Sequence, residues 1–77
     1  MTINEYHDIV VDSWKIFKWY AQNTVDHGEN EQFWADLIRD VTMMTKNHHE
    51  HRFAVAMGLA VMDEVEKIWK DGQDGKG

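Results

Sequence analysis

The stretch NEQFWADLIRDVTMMT, residues 30–45, decides the fold class. At about 100° of turn per residue, Phe33, Trp34, Leu37, Ile38, Val41, Met44 and Thr45 fall on one face, while Asp36, Arg39 and Asp40 point away. Apolar residues recurring three and four apart mark an amphipathic helix, whereas a half-buried strand would alternate. Asn30 stands where a helix cap belongs, and Glu31 sits favourably against the positive end of the helix.

The same grammar extends in both directions. No proline occurs anywhere in the 77 residues, and nothing alternates over the length of a strand. Upstream, the spacing predicts a helix from Ile3 to about Asn23, opened by Thr2 and Glu5 in the S/T-x-x-E form of a capping box. Its expected core face is Ile3, Tyr6, Val10, Trp14, Phe17 and Ala21, with Ile9, Ile16 and Tyr20 widening one edge. Residues 24–30 read as a loop around Gly28. Downstream, Asn47 followed by Glu50 suits a fresh cap, which places a turn near residues 45–48 and a third helix over 49–70. An uninterrupted helix over 31–70 satisfies the same pattern. Residues 53–62 are apolar nearly all round, and Ala54, Ala56, Gly58 and Ala60 would let neighbouring backbones approach closely. Beyond them Val65, Ile68 and Trp69 turn inward, and Gly72 suits the end of the helix. The expectation is an all-α three-helix bundle with helices 3–23, 31–46 and 49–70. It forms one domain over 1–71 with a flexible polar tail over 72–77.

A chain of this size has little core to spend against conformational entropy and ordinarily needs disulfides, a metal, a partner subunit or dense packing. It has no cysteine, which removes disulfides, thiolate metal sites and a cysteine nucleophile. Four Trp, three Phe, two Tyr and five Met point instead to dense packing or self-association. The net charge of −6 and the lack of any Lys/Arg cluster argue against binding nucleic acid or an anionic membrane. No basic-then-apolar leader is present, and the longest uncharged run, residues 53–62, is too short to span a bilayer. A cytoplasmic location is expected.

Chemical motifs are sparse. His48, His49 and His51 flank Glu50, and on one helix His48 and His51 would share a face. Zinc needs three or four converging ligands, so a His-rich polar turn is the expected reading and His48 and His51 are the residues to inspect for metal. The same histidines raise the expectation that protonation loosens the turn. The tail Asp71-Gly-Gln-Asp-Gly-Lys-Gly77 lacks the alternating acidic ligands and the closing glutamate of a calcium loop. Ser13 has no histidine at helical spacing, Gly28 is no phosphate-binding loop, and no cofactor motif is present. The odd residue is Trp19, which the wheel places among Asp8, Asp12 and Lys15. With Ile9 and Ile16 beside it, it suggests a partner surface, or a ring folded against the 24–30 loop. On the third helix Phe53, Ala56, Leu59 and Ala60 lie away from the stripe of Met57, Val61, Val65 and Ile68. One bundle cannot bury both sides, so a homodimer or a docked protein is expected there.

Two stretches, YHDIVVDSWKIFKWY (residues 6–20) and RFAVAMGLAVMDEVEKIW (residues 52–69), carry a Trp-x-x-Phe-Lys element and a Phe-Ala…Ala-Val-x-Asp-Glu-Val-Glu element. In these the chain resembles small helical proteins encoded by phages and prophages of Gram-positive gut bacteria. That group has no assigned activity, so the resemblance implies only an accessory protein in the cytoplasm of an infected or lysogenic host. The leading expectation is a non-enzymatic, homodimeric interaction module that binds a host or phage protein. The alternative is an acidic inhibitor of a host defence nuclease that mimics nucleic-acid charge, and a His-cluster metal protein is third.

Overall fold

A computed structural model describes residues 2–74, in three helices: α1 (Ile3–His27), α2 (Glu31–Asn47) and α3 (Arg52–Asp74). All three pair with one another, most extensively α1 with α3, giving the expected three-helix bundle. Tyr6 meets Phe53 at one end and Val25 shares a cleft with Ile68 at the other, so α1 and α3 run parallel with α2 returning between them. No helix among the described residues is long and apolar enough to cross a membrane.

The caps expected of Thr2 and Asn30 form. The Thr2 side chain accepts from the Glu5 amide at 3.2 Å, and the Asn30 carboxamide oxygen accepts from the Gln32 amide at 2.8 Å. Several boundaries move. α1 runs a turn past Asn23, because Thr24 is buried and its hydroxyl donates to the Ala21 carbonyl, leaving only Gly28–Asn30 as connection. α3 starts at Arg52 rather than His49 and continues through Gly72 to Asp74, so the expected tail is helical that far. The rest of it lies outside the described residues.

A continuous helix over 31–70 does not occur. The chain closes α2 with the Glu50 amide donating to the Thr45 carbonyl at 2.7 Å and the His49 amide to Lys46 at 3.0 Å. This six-to-one and five-to-two pair is the Schellman closure, which puts its fifth residue, His49, in the left-handed region. His49 (φ 59°) and Glu50 (φ 55°) both sit there, although neither is glycine. Asn47 is not the cap of α3. That role falls to His51, whose Nδ1 accepts from the Phe53 amide at 3.0 Å.

The core comprises Tyr20, Phe33, Leu37, Val41, Val61 and Val65 in one cluster and Ile9, Met44 and Ala54 in another, with Ile16 packed against both. α2 uses its expected face, except that Ile38 stands exposed. α1 does not. Its buried line is Ile9, Ser13, Tyr20 and Thr24, whereas Ile3, Val10 and Trp14 are exposed, a rotation of roughly a quarter turn. Small hydroxyl residues form this line because Ser13 donates to the Ile9 carbonyl at 2.7 Å and Thr24 likewise stays within its helix. Satisfied in this way, they let α2 and α3 approach without a desolvation penalty.

Two glycines mark the tightest approaches. A β-carbon on Gly58 would stand 2.6 Å from Val41 Cγ1, so α3 crosses α2 on a bare backbone. Of the small residues expected to allow close approach, Ala54 and Gly58 are buried, while Ala56 and Ala60 face outward.

Candidate interaction surfaces

An apolar groove lies between α2 and α3. Trp34, Leu37, Ile38, Met62, Glu66 and Trp69 line a groove of about 370 Å³. Its α3 wall is Met62, Glu66 and Trp69, spaced four and three residues apart, which keeps one helix edge toward the groove. Val55 and Leu59 continue the same spacing along α3 and are exposed. The closed end is rigid: Trp34 Nε1 donates to the Gly28 carbonyl at 2.7 Å, and the Trp34 and Trp69 rings meet edge to face at 5.8 Å. Trp69 also covers Gly28, where a β-carbon would overlap its ring. The glycine that appeared to be a simple loop residue is thus the seat of two indoles. Glu66 on the rim pairs with Lys70 at 2.7 Å.

A second apolar surface runs the length of α1. Ile3, Val10, Trp14 and Val25 are exposed along one edge, with Phe17 half-buried against the Trp14 ring at 6.0 Å. Apart from Val25, which falls where a loop was expected, this is the face that the sequence pattern assigned to the core.

The residues singled out in the sequence are divided. Ile9 is 0% exposed and therefore belongs to the core rather than to a partner surface. Ile16 is half-buried beneath it. Trp19 is 54% exposed, with its ring stacked on Phe33 at 6.4 Å and edge-on to Tyr20 at 4.8 Å. It forms part of a polar cleft with Lys15, Asp36 and Arg39 between α1 and α2. Phe53 is half-buried against Tyr6. Leu59 is 59% exposed, and Ala56 and Ala60 are open to solvent. The sequence reading missed Ile38 and Trp34 as surface, because their helix period is that of the core face.

The polar groups are committed to structure. His48 Nε2 lies 2.7 Å from Asp12 Oδ2, tying the α2–α3 corner to α1, while His51 caps α3. The two histidines do not converge, and no group of three or more His, Asp or Glu among the described residues could hold a metal ion. The Tyr20 hydroxyl donates to Asp40 at 2.5 Å. Burial, with the hydrogen bond and negative charge of Asp40, pushes its phenol well above its ordinary value. Arg39 bridges Asp36 at 3.1 Å and Asp40 at 3.3 Å. No protein-family model matches the chain, and no curated protein or solved structure does.

Proposed function

We propose that the chain is a non-enzymatic interaction module that takes an amphipathic helix of a partner protein into the α2–α3 groove. The observation that carries this reading is the groove itself: an apolar channel between two helices, stiffened by the paired indoles and lined by Ile38, with Leu59 one step further along α3, both more than half exposed. Large apolar side chains left in water beside a preformed groove are a pattern that helix-in-groove recognition uses. The net charge of −6 favours a helix whose apolar face is flanked by Lys or Arg. The sequence resemblance makes a host or phage protein the place to look, in the cytoplasm.

Charge mimicry of nucleic acid is the weaker reading. It needs a dense acidic stripe, whereas Arg39 lies between Asp36 and Asp40, and Lys67 and Lys70 pair with Asp63 and Glu66. The test is capture from host lysate followed by reconstitution with the purified partner. A partner bound by the parent chain and released by Ile38→Glu and Leu59→Glu supports the groove. A partner held equally by both variants overturns it.

A further inference from the structure

We infer that the α2–α3 corner is an exchange hinge: with α2 and α3 joined as one helix, two copies of this chain swap their third helices and close into a dimer. The corner holds two non-glycine residues in the left-handed region, His49 at φ 59° and Glu50 at φ 55°. Residues with a β-carbon avoid that region, histidine less than most. No glycine or proline stands between Gly28 and Gly58, so nothing in the local sequence stops a helix at the corner. Short connections under strain are where copies of a chain exchange an identical element.

The core positions keep one register across the corner. Leu37, Met44, Gly58 and Val65 lie on one seven-residue phase, and Phe33, Ala54 and Val61 lie on a second, four positions before it. All seven are buried. A seven-residue repeat keeps one edge of a helix turned toward an antiparallel neighbour along its whole length. Joined as one helix, α2 and α3 therefore present on a single edge the side chains that each already buries.

Because α2 and α3 run antiparallel, the joined helix carries α3 away from its own α1 and α2 and lays it along those of the second copy. The second copy returns its α3 about a two-fold axis at the corner. The packing of the monomer is rebuilt between chains, with Trp69 of one copy over Gly28 of the other. The α2–α3 groove then takes Trp34 from one chain and Trp69 from its neighbour. The exchange releases the left-handed pair. It gives up the closure of Glu50 and His49 on Thr45 and Lys46 and the His51 cap on Phe53, whose amides take helical partners instead.

This inference does not rest on the groove reading, since its test follows one chain and no partner protein. The chain has no cysteine, so Gln32→Cys with Lys70→Cys places one donor–acceptor dye pair on two exposed positions. In the monomer these sites flank the Trp34–Trp69 contact at 5.8 Å and transfer energy efficiently. In the joined helix they stand about 57 Å apart. The labelled chain is refolded from urea with excess unlabelled chain, once dilute and once at the highest soluble concentration, and then sized. The dilute sample is expected to be a monomer with efficient transfer, and the concentrated one to contain a dimer in which transfer within the labelled chain is lost. Glu50→Gly should raise the dimer dissociation constant about a hundredfold, about tenfold for each of two corners, and His49→Ala should lower it about tenfold. A chain that stays monomeric after concentrated refolding overturns the proposal. So does a dimer that keeps its transfer, which is two closed monomers side by side, or a Glu50→Gly dimer as tight as the parent's.

Discussion

The indole of Trp69 lies on the bare backbone of Gly28, in space that any β-carbon would occupy. Gly28 has φ −65°, an ordinary right-handed conformation, so it is glycine because of the ring above it. Gly28→Ala should therefore destabilise by about 1–3 kcal/mol through overpacking. Chemical denaturation measures this, and loss of the groove's indole pair should appear in the near-ultraviolet circular dichroism. An unchanged midpoint would refute the contact.

Gly58→Ala sets two effects in opposition. Alanine gains up to about 1 kcal/mol of helix propensity, but its methyl meets Val41 Cγ1, a stiff β-branched side chain in the core. Overpacking should win, for a net loss of about 1–2 kcal/mol. Val41→Ala in the same chain should recover part of it, and a double-mutant cycle reads the coupling.

Tyr20 predicts the alkaline limit. Its folded-state phenol titrates above the unfolded value of 10.0, so the folded chain holds this proton more tightly. The resulting stability is fully present below pH 10 and is lost as pH rises above it. Urea midpoints for the parent chain should fall above pH 10. Tyr20→Phe should fall less steeply, and the difference between the two curves removes the lysines that titrate in the same window.

Glu50 should be replaceable at a profit in stability. A left-handed residue costs roughly 1–2 kcal/mol unless it is glycine, less the backbone entropy that glycine adds to the unfolded chain. Glu50→Gly should gain about 0.5–1 kcal/mol, seen as a higher denaturation midpoint.

His51→Ala should cost about 1 kcal/mol, the usual worth of a cap, whereas His51→Asn should retain it. Equal midpoints for the two variants would show that the Phe53 amide has no need of the imidazole.

Helix count, the caps of α1 and α2, and the α2 face were legible because each is a local property of the chain. The α1 face was not. Ile3, Val10 and Trp14 score as core on any apolar count, and only their exposure shows that Ser13 and Thr24, polar in composition but bonded to their own helix, line the interior instead. Ile9 was misplaced for the same reason, by a rotation that depends on where α2 and α3 sit. Leu59 as exposed surplus was legible, because residues 53–62 carry more apolar surface than one neighbour can cover. The groove was not, since Trp34 and Trp69 come together only through Gly28. The metal question turned on direction: His48 and His51 are three apart, but a left-handed pair of residues lies between them.

The corner at residues 48–51 contains neither proline nor glycine, and its two left-handed residues favour a straight helix when left to themselves. What bends the chain is remote: Asp12 holds His48, and the core burial of Val41, Val61 and Val65 rewards the fold-back. The bend is therefore a product of assembly. A peptide spanning 31–74 alone should relax into a single rod, and the hairpin should appear only when α1 is supplied, which makes α1 the template on which the other two helices close.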